Sequence, residues 1–256
     1  MSELMGIYAI WYRELKVYIR ERSRVFASIV NPLVWLLILG GGLGSAFTIG
    51  DISYQTFIFP GVLAQAVTFS SIFYGVYIVW DRKVDFLKEV LVAPLSRTSI
   101  FVGKVFGGAT DSLIQVALIF LAGFLLAQAG VIEGIAFTPL QFAACMAILS
   151  MSVVGLVSVG LVIGSLMESP EGFQLIGGFL VFPLFLLSGA LFPIDNLPVW
   201  LAPLNMLDPL TYTVDALRGV LIGASHFGIL ADMAVIAMFS IGMIIAGTLA
   251  FRRMKV

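Results

Sequence analysis

Charge is what this chain has least of. Asp, Glu, Lys and Arg make up 11% of its 256 residues, while 60% are apolar. A water-soluble domain carries about a quarter charged residues, so a solvated surface cannot be built from so few. The single cysteine, Cys145, excludes an intrachain disulfide framework. The single histidine, His226, excludes a His-rich metal site, and no metal-ligand spacing occurs elsewhere. A phosphate-binding loop is also missing. Gly103-Lys104 is followed by Val105 where Ser or Thr is required, and Thr98 stands where the first glycine belongs. A Ser-His-acid arrangement would have to use His226, and no nucleophile is grouped with it. The sequence therefore predicts no enzyme and no cofactor bound by this chain. It also predicts no nucleic-acid partner, because the basic residues form no patch beyond what membrane topology explains.

Long uncharged runs take the place of these features. Val25–Gly50, Ile52–Trp80, Ser112–Ile132, Gly134–Met167, Gly172–Ile194 and Met233–Phe251 each lack Asp, Glu, Lys and Arg. Each can supply the roughly 20 residues that cross a hydrocarbon core about 30 Å thick. A seventh run, Gly219–Ala231, is too short. The expectation is an all-α integral membrane protein with six transmembrane helices, each closing its own backbone hydrogen bonds. The spans are placed at 25–50, 55–80, 104–130, 138–167, 172–194 and 228–251. The first run is longer than the apolar core of a cleavable signal and reads as a retained anchor.

With six spans, 13 of the 14 basic residues fall on one side, leaving only Arg218 opposite. Lys and Arg mark the cytoplasmic side of short loops, so both termini are expected in the cytoplasm. The expected setting is the cell (inner or plasma) membrane of a prokaryote.

Residues 1–24 place Ile7, Ile10, Trp11, Leu15, Tyr18 and Ile19 at helical spacing among basic residues, the pattern of an amphipathic helix in the membrane interface. The first span is expected to open after Asn31-Pro32, and Pro60 to kink the second near its outer end. Gly40/Gly44, Gly103/Gly107 and Gly160/Gly164 match the small-xxx-small pattern of packed membrane helices. The connection 81–99 carries a short helix through Val84–Val92, stopped by Pro94, with an apolar face of Phe86, Leu87, Val90 and Leu91. Such a face docks either on a partner or back on the membrane. Asp111, two turns beyond Lys104, is a candidate intramembrane carboxylate. The headgroup region or a neighbouring base is its expected environment. The segment 195–227 is too apolar for a free loop and too interrupted by Pro193, Pro198, Pro203 and Pro209 to span. Re-entrant extracytoplasmic helices between spans five and six fit both facts, with Asp215 and Arg218 on one helix face, close enough to pair.

Three segments resemble the type-2 ABC transporter permease family, the drug, polysaccharide and lipid exporter group. They are Phe57-Ile58-Phe59-Pro60-Gly61, then Lys88-Glu89-Val90-Leu91-Val92-Ala93-Pro94-Leu95-Ser96, and the stretch from Leu187-Ser188-Gly189 through Leu207-Asp208-Pro209-Leu210-Thr211-Tyr212 to Asp215-Ala216-Leu217-Arg218-Gly219. Asp208 departs from the Asn expected there. The resemblance covers nearly the whole chain as a single transmembrane domain, 1–256. It implies an ATP-driven exporter of an amphipathic or hydrophobic substrate such as a drug, lipid or lipid-linked glycan. It also implies a homodimer of this subunit, with a separate ABC ATPase subunit that binds ATP and Mg. In that family residues 1–24 would form the interface helix. Asp85, Phe86, Leu87, Glu89, Val90 and Leu91 would couple to the ATPase. Pro193, Pro209, Tyr212, Asp215 and Arg218 would belong to the outer re-entrant gate. Substrate would pass along the dimer interface, lined by spans one, two and five. The competing expectation is an ion-coupled secondary transporter that uses Asp111.

Overall fold

The protein is described by a computed structural model covering residues 2–44, 48–49, 52–86, 90, 92 and 94–254, without the side chains of Arg24, Thr48 and Asn196. In order, its elements are α1 (Glu3–Arg20), α2 (Arg22–Gly44), β1 (Thr48–Ile49), β2 (Ile52–Ser53), α3 (Tyr54–Phe73), α4 (Val76–Lys83), α5 (Arg97–Gln128), α6 (Pro139–Leu166), α7 (Pro170–Leu187), α8 (Ala202–Leu207), α9 (Pro209–Ile222) and α10 (Ile229–Arg253). The two strands pair antiparallel, Thr48 opposite Ser53 and Ile49 opposite Ile52, and the remaining elements are helical.

Among the described residues, six segments are long and apolar enough to cross a membrane: Val25–Gly44, Tyr54–Lys83, Arg97–Gln128, Pro139–Leu166, Pro170–Leu187 and Ile229–Arg253. Helix starts are fixed by short polar residues. Ser53, Ser96, Thr138, Ser169 and Asp208 each accept a backbone N–H of the first turn, and Pro139, Pro170 and Pro209 follow their caps directly. Thr138 and Gln141 form a reciprocal capping box.

α3 is the hub of the bundle. Its residues from Thr56 to Thr68 are all buried, and it packs against α2, α5, α6, α7 and α9. Outward faces of α2, α7 and α10 expose Phe26, Ile38, Leu175, Phe179, Leu230, Met238 and Ile245. An apolar surface of that kind is stable in lipid and not in water. The chain is a multi-pass membrane protein.

Close approach depends on glycine at the α3–α4 junction. A Cβ on Gly160 would strike the carbonyl oxygen of Ile72, and one on Gly164 that of Gly75. α6 therefore lies backbone to backbone against this junction. Likewise a Cβ on Gly103 would sit 2.9 Å from Ile10 Cβ and one on Gly107 2.7 Å from Glu14 Cβ, which seats α1 on α5. Gly40 and Gly44 face the side chain of Gln55, with Ile58 Cδ1 also 3.5 Å from a Cβ on Gly40.

One local expectation is corrected. α2 begins at Arg22, so Pro32 lies inside the helix and not at its start. The second span is interrupted at Tyr74-Gly75, and Pro60 lies within α3 in its second turn, where its missing N–H leaves the Thr56 carbonyl without its usual donor.

Candidate functional site

At one end of the bundle, α1, α4 and the start of α5 share a buried ionic cluster. Lys104 Nζ donates to Asp81 Oδ2 at 2.6 Å and to Glu14 Oε1 at 3.0 Å. Arg13 reaches Asp81 Oδ1 at 3.0 Å and Glu14 Oε1 at 2.7 Å. Two bases and two acids balance. Lys104 is only 1% exposed, and a charge so buried survives only if paired and hydrogen-bonded. Burial alone lifts the Glu14 carboxyl, but Lys104 and then Arg13 overcome it and hold the group below the ordinary carboxylate range.

The connection 84–96 is tied into the same place. Asp85 turns the chain with φ at +56°, ending α4. The Phe86 ring lies 3.9 Å beneath the Arg13 guanidinium. Val90 is half-buried against the core, whereas Val92 is 85% exposed. The Ser96 N–H and hydroxyl both donate to Glu3, with the hydroxyl at 3.0 Å, and Leu95 fills the space over Gly6. Trp11 Nε1 donates to Thr110 at 2.9 Å. α1 is thus bonded along its length to α5 and to both ends of the connection. Of the predicted coupling residues, Leu87, Glu89 and Leu91 lie outside the described residues.

The opposite end gathers the segments that carry the resemblance. Arg218 on α9 donates to the Gly189 and Ala190 carbonyls, at 2.6 and 3.3 Å, and its guanidinium sits 3.8 Å from the Phe57 ring. Tyr54 donates to the Leu191 carbonyl at 3.0 Å. A Cβ on Gly61 would meet the Ala190 carbonyl oxygen at 2.5 Å. Phe57–Gly61, Ser188–Leu191 and Asp215–Arg218 are one contact.

Asp215 and Arg218 share a helix face but do not pair. Asp215 instead accepts from Ser225 Oγ and from the backbone N–H groups of His226 and Phe227, all within 2.9 Å. The carbonyls of a turn satisfy the arginine, and the amides of the loop satisfy the aspartate. Pro193 precedes a 3-10 turn at Ile194–Asn196, Pro209 opens α9, and Tyr212 donates to the Met206 carbonyl at 2.8 Å. His226 Nδ1 lies 2.9 Å from Asp195 Oδ1, joining the two loops that flank α8 and α9.

Between the ends lies a cavity of about 500 Å³, lined by α2, α3, α5 and α7, with Tyr18 of α1 and Val76 and Tyr77 of α4. Aromatic walls come from Trp35, Phe69, Phe73 and Phe182, and polar groups from Asn31, Gln65, Gln115 and Gln174. Asp111 also lines it and is buried. It has interaction partners of its own.

Sequence reasoning missed two things here. Lys104 reads in the sequence as a topology marker and as the lysine of an incomplete phosphate-binding loop, not as a buried partner of Glu14 and Asp81, although its setting between Gly103 and Val105 and the acid at Glu14 within an apolar stripe were visible signals. The cavity uses the predicted spans one, two and five but also span three.

Comparison with known proteins gives one answer. The family described as ABC-2 type transporter matches residues 5–222. "Putative transport permease ycf38" of Cyanophora paradoxa is 31% identical over 225 residues, covering 85% of this chain and 73% of that protein. "Nodulation protein J" of Rhizobium leguminosarum bv. viciae is 26% identical over 258 residues, covering 96% and 93%. "Probable multidrug ABC transporter permease YbhR" of Escherichia coli K12 is 28% identical over 173 residues, covering 66% and 45%. With the match running through both ends of the bundle and the spans between them, this chain belongs to the ABC-2 type transporter family and is a membrane permease subunit of an ABC transporter.

Proposed function

We propose that the chain is the membrane half of an ATP-driven exporter. It moves an amphipathic or hydrophobic substrate (drug, lipid or lipid-linked glycan) out of the cytoplasm or inner leaflet of a prokaryotic cell membrane. Both termini lie in the cytoplasm. A separate ABC ATPase binds ATP and Mg and presses on residues 85–92, a second copy of the permease completes the unit, and α8 and α9 enter the membrane as re-entrant helices that cap the exit. The observation that carries this reading is the bonding of the 84–96 connection into α1, α4 and α5 through Phe86, Arg13 and Lys104. A push on that connection is delivered to three helices at once, because Arg13 links Phe86 to the buried, charge-balanced group of Glu14, Asp81 and Lys104 that ties those helices together. The name of the Escherichia coli relative, a multidrug ABC transporter permease, points the same way.

The test is co-expression with a candidate ABC ATPase subunit, followed by affinity purification of the permease. The wild-type chain is expected to bring the ATPase with it, and Val92→Asp to lose it while remaining monodisperse. Val92 is the better probe because it faces outward, whereas a charge at Phe86 would also break the Arg13 contact. A permease that binds no ATPase, and whose vesicle transport follows a proton or sodium gradient, would replace this reading with the ion-coupled one through Asp111.

A further inference from the structure

Where three spans end beside one another, α4, α6 and α10 leave a groove of about 560 Å³. Arg82 lines it from the last turn of α4, Ser165, Leu166 and Glu168 from the end of α6 and the turn after it, and Leu249 and Arg253 from the end of α10. It shares no lining residue with the cavity among α2, α3, α5 and α7. Local bonds account for several bases at this end. Arg97 donates to the Phe251 and Met254 carbonyls, Arg252 reaches Thr98 Oγ1 at 3.5 Å, and Lys83 Nζ lies 4.0 Å from Glu171. Arg82 donates to the Met167 carbonyl at 2.8 Å and to the Ser165 carbonyl at 2.9 Å, which fixes its guanidinium at the C-terminal end of α6. No carboxylate pairs with it among the described residues. Arg253 is exposed and has no bonding partner among the described residues, and Glu168, exposed in the same wall, is likewise unpaired there.

The lining selects a ligand by its mixture of groups. Leu166 and Leu249 give the groove exposed apolar side chains next to the two guanidiniums. A soluble anion would use the guanidiniums and leave these leucines uncovered; a lipid covers both. The depth is right for a head group, because Arg82 and Arg253 stand in the last turns of segments long enough to cross the hydrocarbon core. Basic pockets between spans at this depth take phosphate head groups. The acid then decides among lipids. Beside Glu168, a head whose only charge is its phosphate meets repulsion. A head that also carries a primary ammonium gives that carboxylate a charge-assisted hydrogen bond. A choline head has the positive charge without N–H donors.

We infer that this groove holds a phosphatidylethanolamine of the cytoplasmic leaflet, with its phosphate at Arg82 and Arg253 and its ammonium at Glu168. A lipid seated there bridges the ends of spans two, four and six. The choice of leaflet rests on the cytoplasmic termini proposed above, while the binding step needs no ATPase.

Delipidated full-length permease is titrated with phosphatidylethanolamine, phosphatidylcholine and phosphatidylglycerol of identical chains, and bound lipid is counted by native mass spectrometry. Phosphatidylethanolamine is expected to fill one saturable site, held about tenfold more tightly than the other two, the ratio that one charge-assisted hydrogen bond supplies. Arg253→Gln should weaken all three lipids. Glu168→Gln should erase the advantage of phosphatidylethanolamine over phosphatidylcholine and leave the latter as it was. Both residues are exposed, so both variants should elute as wild type in size-exclusion chromatography. Tighter binding of phosphatidylcholine or phosphatidylglycerol overturns the inference, and so does phosphatidylethanolamine binding that neither substitution changes. Displacement of the lipid by inorganic phosphate alone would assign the guanidiniums to a soluble anion instead. Arg253→Gln that loses ATPase co-purification with lipid binding unchanged would assign this rim to the ATPase. A wild-type chain that binds no ATPase leaves the lipid titration readable, so the exporter reading and the lipid site fail separately.

Discussion

Lys104 shows how a residue's surroundings set what it does. In water its ammonium would be one positive charge among 14 basic residues; here it is the centre of a closed ring with Glu14, Asp81 and Arg13. Removing one partner of a buried pair leaves the others uncompensated and costs about 3–5 kcal/mol. Lys104→Met is therefore expected to lower the unfolding temperature of the purified permease markedly, with part of the loss restored by adding Glu14→Gln. The pH profile checks the same cluster. Glu14 titrates in the fold below its ordinary value of 4.5. A group held down in this way stabilises the fold above its unfolded value and loses that contribution as pH falls through the folded one. Wild-type stability should therefore drop on acidification below about pH 4.5, and the Glu14→Gln profile should be flatter. Equal slopes in the two proteins would remove the cluster from this account.

Helix-scale packing depends on where a Cβ is absent. The break between α3 and α4 at Tyr74-Gly75 puts backbone carbonyls against Gly160 and Gly164 of α6, with no side chain between. Overpacking a tight seam forces backbone shifts and costs about 1–3 kcal/mol, more when the obstacle is backbone and not a flexible side chain. Gly160→Val is expected to abolish monodisperse protein in size-exclusion chromatography. Gly178→Ala and Gly242→Ala, where nothing lies within 4 Å of the added Cβ, should elute as wild type. The small-xxx-small spacing around Gly160 was plain in the sequence. The partner carbonyls were not, because they lie more than 80 residues away in the chain and depend on the break at Gly75. α1 makes a related point. Its stripe of Ile7, Ile10 and Trp11 packs inward on α5, and Leu4, Met5, Tyr8, Tyr12 and Ile19 form a second apolar face that remains exposed. An amphipathic pattern identifies a helix that lies against something; that α1 has two such faces, one for the protein and one left over, is visible only once it is docked.

For the whole molecule, the arrangement of charge predicts sidedness. One end carries Arg13, Arg82, Lys83, Lys104, Arg252 and Arg253, and the other carries Asp195, Asp208 and Asp215 with Arg218. Cys145 is buried, so a Cys145→Ser background leaves no native thiol to label. In that background a cysteine at Ser2 should react with a membrane-impermeant maleimide only in inside-out vesicles. A cysteine at Trp200, which is 71% exposed, should react only in intact spheroplasts. Reaction of both from the same side would overturn the six-span arrangement with cytoplasmic termini.

The sequence by itself determined the class of molecule, the six crossings and the family, because each follows from local quantities: run length without charge, spacing of small residues, and short motifs. It also marked Phe57–Gly61, Ser188–Leu191 and Asp215–Arg218 as segments of interest without saying that they touch. Tertiary structure alone decided that Arg218 bonds to the Gly189 and Ala190 carbonyls and not to Asp215, and that Lys104 is buried and shared by two acids. The reason is the same in each case. A polar group's role inside an apolar bundle is set by the one partner within about 3 Å, and in a six-helix bundle that partner comes from a helix far away in the chain.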